Sequence, residues 1–353
     1  MRRIIAIGAL LVGTATLAAC ELAPKTSYQN GHRGTGMNTI KVSAEAAADA
    51  VPGPPYDPPG TDGQRAGEVY ENLQVLGDVS VDQFNYTMAA LTEWVSPVEG
   101  CNYCHDPANM ASDAVYTKIV ARRMLEMTRN LNQGWTNHVG DTGVTCWTCH
   151  RGEPVPSESW TLPVAGRSGI VNNRAGQNEP VSNSAYSSLP TQSVALYLMG
   201  RIDADENIRV VSETVHPTSA NRLSTMGAEH SYALMMHLSQ SLGVNCTYCH
   251  NTQSFQTWAT SSPPRQTAWY GVRMTRDINS EYITPLASVF PAHRKGELGD
   301  PYKVNCATCH RGQNKPMGGY PMAKEYPALW STAIAPPAPA PAPAAATATS
   351  TAP

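Results

Sequence analysis

Four copies of one five-residue pattern constrain this chain more than anything else in it. Cys101-Asn102-Tyr103-Cys104-His105, Cys146-Trp147-Thr148-Cys149-His150, Cys246-Thr247-Tyr248-Cys249-His250 and Cys306-Ala307-Thr308-Cys309-His310 are each C-x-x-C-H. The spacing has a chemical reason. Two thiols separated by two residues can each add to a vinyl group of one porphyrin, and the next residue carries its imidazole to the iron of that haem. With nine Cys and ten His in 353 residues, chance gives roughly 0.01 such matches or fewer. The expectation is four covalent haem c groups, held by Cys101, Cys104, Cys146, Cys149, Cys246, Cys249, Cys306 and Cys309, with His105, His150, His250 and His310 on the irons. Only Cys20 lies outside the motifs, so no pair remains for a structural disulfide. A zinc site built from C-x-x-C pairs would not need a His after every second Cys. A thioredoxin-like redox motif would occur once.

Four porphyrins bring a large apolar surface, so the chain's own core need not be large. The motifs fall in pairs, one and two within 64–152, three and four within 191–312. The second of each pair continues Arg-Gly, as Arg151-Gly152 and Arg311-Gly312. Met127-Thr128-Arg129-Asn130-Leu131-Asn132 aligns without gaps with Met274-Thr275-Arg276-Asp277-Ile278-Asn279. The repeating unit is a helix, a turn and a haem-binding motif. The expected fold is mainly α with long loops and little sheet: a multihaem cytochrome c of two pseudo-twofold-related halves, each holding two haems. The expected segments are a lipoprotein signal peptide (1–19), an N-terminal lipid-anchored arm (20–60), a first dihaem half (61–152), a connecting segment (153–190), a second dihaem half (191–330) and an Ala/Pro-rich disordered tail (331–353).

Arg2-Arg3 precede an apolar stretch of 16 residues from Ile4 to Ala19, short for a membrane span and normal for a signal peptide. The stretch ends Leu17-Ala18-Ala19-Cys20, which resembles a bacterial lipobox. Cys20 is therefore expected to carry lipid as the first residue of the mature chain, and the protein to sit lipid-anchored on the periplasmic face of the inner membrane. Loss of the two leader arginines takes the net charge from −3 to −5. No basic stripe exists, which excludes nucleic acid as a partner. A basic soluble electron carrier suits the acidic balance.

Each motif supplies one axial bond, and the other face of the iron decides function: an open face suggests catalysis, a strong protein ligand electron transfer. Val81–Val95 reads as a helix with Met88, Leu91 and Val95 on one face, and Ala228–Leu242 repeats that face as Met235, Leu238 and Leu242. Met88 and Met235 are thus candidate ligands at motifs one and three. Before motif two, Val120, Met124, Met127 and Leu131 share a face, and Met124 and Met127 are both candidates. Aligning the halves sets Gly271 opposite Met124. If Met124 is a ligand, motif four has no side chain at the matching position and must take its ligand from elsewhere. His138 is the spare histidine best placed to cross over; the others are His32, His216, His230, His237 and His293. Arg151 and Arg311 are candidates to pair with haem propionates.

These residues sit in longer stretches that resemble a known family, the tetrahaem cytochrome c subunit of the photosynthetic reaction centre of purple bacteria. The matching segments include Thr92-Glu93-Trp94-Val95-Ser96-Pro97, Val120-Ala121-Arg122-Arg123-Met124-Leu125-Glu126-Met127-Thr128-Arg129 and Trp269-Tyr270-Gly271-Val272-Arg273-Met274, over about residues 60–330. The resemblance implies three His/Met haems and one bis-His haem, with Met88, Met124 and Met235 as the methionines and His138 as the crossing histidine. Met274 also fits the family pattern without being a ligand.

The implied function is electron transfer rather than enzymatic catalysis. A soluble cytochrome c or high-potential iron–sulfur protein would reduce the chain, and electrons would pass to the photo-oxidised bacteriochlorophyll special pair in the reaction-centre core. With His138 beside motif two but on haem four, the haem order becomes one, two, four, three, with haem three nearest the membrane. The competing expectation is a periplasmic multihaem shuttle or a reductase subunit, which needs one open haem face.

Overall fold

The periodic runs ahead of the motifs fold as helices. In the computed structural model, residues 23–163, 176–200, 208 and 224–330 are described. The leader with Cys20, His216 and the tail 331–353 lie outside the described residues. In chain order the strands are β1 Lys25–Gln29 and β2 Asn38–Val42. The helices are α1 Ser43–Ala48, α2 Ala66–Val69, α3 Val81–Val95, α4 Tyr116–Gly134, α5 Thr136–Val139, α6 Cys146–His150, α7 Ser193–Leu198, α8 Thr225–Leu242, α9 Pro264–Asp277 and α10 Cys306–His310. The fold is mostly helical with long loops, and the described strands form one two-stranded antiparallel hairpin.

Helix α3 has the bounds its periodicity predicts, because Ser80 Oγ accepts from Gln83 N at 3.2 Å and stops the helix at its start. Helix α8 starts three residues before the expected Ala228, where Ser224 Oγ accepts from Gly227 N at 3.0 Å. Helix α9 runs on into a π-helical turn over Ile278–Ile283. The motifs take two local forms. Motifs one and three begin in single 3₁₀ turns, Gly100–Tyr103 and Cys246–Tyr248. Motifs two and four are short α-helices with capping boxes, Thr145 with Thr148 and Asn305 with Thr308. Each ends in a left-handed arginine, Arg151 at φ 52° and Arg311 at φ 48°.

The same hydrogen bonds recur in both parts of the chain. Asn132 Nδ2 donates to the carbonyls of Val144 and Leu329 at 3.1 and 3.0 Å, and its Oδ1 accepts from Val144 N at 2.7 Å. Asn279 makes the matching set with Val304 and Leu198 at 2.8–2.9 Å. Arg129 Nε donates to Ala328 O, and Arg276 Nε to Tyr197 O. The C-terminal segment therefore closes the α3–α4 region as α7 closes the α8–α9 region. Tyr326 stacks on Tyr86 and meets Trp94 edge-on, with ring centroids 4.9 and 4.5 Å apart, in a cluster with Met322, Ala328 and Leu329. Trp160 and Leu162 of the connecting segment pack on α7, and Trp160 exchanges backbone hydrogen bonds with Lys303 just before motif four.

The arm lies along this body. Asn30 is buried and staples the hairpin to two loops: its Nδ2 donates to Thr39 Oγ1, Gly243 O and Gly312 O, and its Oδ1 accepts from Asn314 N. Gly243 is required here, since it ends α8 at φ +63° and any Cβ would collide with Thr39 and the Gly312 carbonyl. Further along, Tyr56 meets Tyr86 edge-on and the carbonyls of Pro59 and Gly60 accept from Gln83 on α3.

Candidate cofactor sites

Five imidazoles are fixed in the same way. Nδ1 of His105 bonds the Met110 carbonyl at 2.9 Å, and that of His250 the Phe255 carbonyl at 2.9 Å, both five residues on. Nδ1 of His150 bonds Glu153 O at 2.8 Å and that of His310 bonds Gln313 O at 2.9 Å, both three residues on. The fifth is His138, whose Nδ1 bonds Thr267 O on α9 at 2.9 Å. A carbonyl can only accept, so each Nδ1 carries the proton and each Nε2 keeps its lone pair for a metal. Burial holds His138, His150, His250 and His310 below the ordinary histidine value, His310 at about 4 with His138 beside it. Neutral imidazoles are what a metal centre needs.

A cavity of about 1020 Å³ runs between four of them, His105, His138, His150 and His310. It lies at the top of the usual span of roughly 300–1,000 Å³ for small-molecule pockets. Motif one lines it with Cys101, Cys104 and His105, motif two with Cys146, Cys149 and His150, and motif four with Cys306, Cys309 and His310. Met88, Leu91 and Val95 of α3 face it, as do both Met124 and Met127 of α4. Motif three is different: Leu238, Leu242 and Tyr248 line the cavity, whereas Met235, Cys246, Cys249 and His250 do not. Met235 packs beside Leu238 on the cluster of Val194, Tyr197 and Leu198, and the His250 ring lies 5.4 Å from that of Phe255.

Motifs two and four touch, with Cys149 Sγ 2.8 Å from Cys309 Sγ. His138 crosses from α5 to α9 and faces His310, ring centroids 6.0 Å apart and tilted by 68°. Gly271 makes the crossing possible. A Cβ there would stand 2.5 Å from His138 Cε1 and 2.8 Å from Nδ1. Among the spare histidines His32, His230, His237 and His293, none lines the cavity.

These residues fit haem c. Paired thiols and a preset imidazole meet at each motif, and the cavity walls are chiefly apolar. The Nε atoms of Arg151 and Arg311 are buried with no partner among the described residues, as donors awaiting a carboxylate would be. Burial pushes the thiols of Cys146 and Cys306 up to about 12, so neither is a reactive thiolate. Two features were missed from sequence. The carbonyl partners of the imidazoles sit at two different offsets and carry no side-chain signal. Arg151 and Arg311 converge on the arm residue Asp49, 102 and 262 positions away.

A family profile described as photosynthetic reaction centre cytochrome C subunit matches residues 21–330. Photosynthetic reaction center cytochrome c subunits are similar throughout. That of Rubrivivax gelatinosus is 46% identical over 333 residues, covering 93% of this chain and 89% of the relative. That of Thermochromatium tepidum is 46% identical over 328 residues, covering 92% and 80%. That of Roseobacter denitrificans is 37% identical over 348 residues, covering 92% and 91%.

The chain belongs to this family. As a reaction-centre cytochrome c subunit it carries haem c, transfers electrons as a carrier and not an enzyme, and associates with the reaction-centre core at the photosynthetic membrane. No helix among the described residues is long and apolar enough to cross a membrane.

Proposed function

We propose that the chain binds four haem c groups and relays electrons from a soluble periplasmic cytochrome c or high-potential iron–sulfur protein to the photo-oxidised bacteriochlorophyll special pair. Haem c supplies a one-electron iron couple whose potential follows its axial ligands and surroundings. Cys101 and Cys104, Cys146 and Cys149, Cys246 and Cys249, and Cys306 and Cys309 hold the four groups. His105 with Met88, His150 with Met124, and His250 with Met235 form three His/Met pairs; His310 with His138 forms the bis-His pair. The observation that carries this reading is the set of five imidazoles with Nδ1 engaged and Nε2 available. Four irons with three Met ligands need five histidines.

The contact of Cys149 with Cys309 supports two halves meeting at motifs two and four, and the order one, two, four, three. Thioether ligands raise a haem's potential relative to bis-imidazole ligation, so the His138–His310 site is the low step between its neighbours. A leader ending at a lipidated Cys20 would fix the chain at the periplasmic face of the membrane. Pyridine haemochrome absorbance per polypeptide tests the count, and carbon monoxide tests the open faces. Four haems with no carbon monoxide adduct support the relay. Fewer haems, or one haem that binds the gas, would favour a reductase.

A further inference from the structure

The arm places one carboxylate where motifs two and four meet. Asp49 directly follows α1. Its Oδ1 accepts from Arg311 Nη1 at 2.9 Å, its Oδ2 from Lys41 Nζ at 2.8 Å, and its carbonyl from Arg151 Nη1 at 3.4 Å. Arg311 and Arg151 follow the motif histidines His310 and His150 directly, and Arg311 Nη2 also reaches the carbonyl of Cys149 at 3.4 Å. Only 19% of the Asp49 side chain is exposed, with 16% of Arg311 and of Lys41, so solvent and salt screen these charges weakly. Burial pushes the Asp49 carboxyl up, but Lys41 and Arg311 outweigh it and hold the group below the ordinary carboxylate value. It is an anion at working pH. The hairpin does not need it for docking, since Asn30 and Thr39 already tie the arm to Gly243 and Gly312.

We propose that Asp49 sets the potentials of the haems at motifs two and four, by offsetting the charge of Arg311 and holding both arginines in place. This rests on the four-haem reading above. The sign follows from charge. The oxidised iron carries one more positive charge than the reduced iron. A fixed anion nearby favours the oxidised form, and its removal raises the midpoint; removal of a fixed cation lowers it. Asp49 therefore tunes the site as a positioning residue, without touching the reacting atoms.

The test is a redox titration of the full holoprotein in its membrane, resolved into components by α-band, for wild type, Asp49→Asn, Lys41→Gln and Asp49→Glu. Asp49→Asn should raise two of four components, with a roughly three- to tenfold rise in the reduced-to-oxidised ratio at fixed ambient potential; tenfold is about 59 mV for a one-electron couple. Lys41→Gln should lower the same two, and Asp49→Glu should leave all four in place. If both Asp49→Asn and Lys41→Gln shift the potentials in one direction, arm displacement and not charge is responsible, and the proposal falls. It falls equally if Asp49→Asn moves nothing or moves all four alike. A wild type without four components overturns the four-haem reading itself. If Asp49→Asn fails to assemble, Lys41→Gln alone decides by its sign.

Discussion

A single methyl group at Gly271 measures how closely His138 is held. Gly271 lies inside α9 with helical backbone, where alanine is ordinarily worth about 1 kcal/mol of added helix stability. Here the new Cβ would stand 2.5 Å from His138 Cε1, 2.8 Å from Nδ1 and 3.2 Å from Nε2, against an ordinary contact beginning at 3.4 Å. The ring must retreat by about 1 Å, and its bond to Thr267 O one turn earlier on α9 must stretch or break. Overpacking of this kind costs about 1–3 kcal/mol, more than the helix gains. A displacement of that size is half of a metal–imidazole bond of about 2 Å, enough to take His138 off an iron held as proposed above. Gly271→Ala should lose the bis-imidazole low-spin signal in electron paramagnetic resonance and gain one haem that binds carbon monoxide, with the other three unchanged. Gly227→Ala on α8, where the nearest atom is Ser224 Oγ at 3.4 Å, is the control and should alter nothing. An unchanged bis-imidazole signal in Gly271→Ala would refute the crossing of His138 to His310.

Two further outcomes follow from the packing and the charges. Asn279→Ala leaves the Val304 amide and the Leu198 carbonyl without the buried Asn279 partner, while the Val304 carbonyl keeps Trp160 Nε1 at 2.9 Å. At about 1–3 kcal/mol per unpaired group, the holoprotein should lose on the order of 3 kcal/mol or more in thermal unfolding, and a variant with unaltered melting would contradict the bridging role. Asp113 pairs both oxygens with Arg122 at 2.8 Å, which lowers its pKa from 3.8 to about 2. Its folded value lies below its unfolded one, so the pair stabilises the fold above pH 3.8 and the contribution is lost as pH falls from there towards 2. Asp113 is 38% exposed, which limits the effect to at most about 1 kcal/mol. Asp113→Asn should flatten that limb of stability against pH, and an identical acid profile would show the pair to be worth nothing.

The parts legible in sequence were those written in local pattern. Helix α3 has the bounds of its 3.6-residue periodicity, and the Met88, Leu91, Val95 face points into the cavity. The internal alignment set Gly271 against Met124, and the structure sets the His138 ring against Gly271, where the missing Cβ on one helix leaves room for a side chain from another. Both Met124 and Met127 face the cavity, so helix geometry leaves that choice open as the periodicity did. The hairpin β1–β2 was not legible: β1 is largely polar, Ile40 on β2 is exposed, and the tie that holds the hairpin runs from Asn30 to Gly312, 282 residues away. The C-terminal segment that closes the α3–α4 region was hidden for the same reason. Tyr326, Ala328 and Leu329 have no periodicity of their own, and their burial depends on Trp94 and Arg129.

Delivery of electrons from this chain to the photo-oxidised bacteriochlorophyll pair leaves a kinetic trace. Flash-induced absorbance in membranes from the source organism, with the ambient potential set in steps, tests it most directly. Bleaching of a c-type α-band within microseconds, in step with recovery of the bacteriochlorophyll pair and lost one haem at a time as the potential rises, is the predicted result. Haems untouched by the flash at every potential would contradict it.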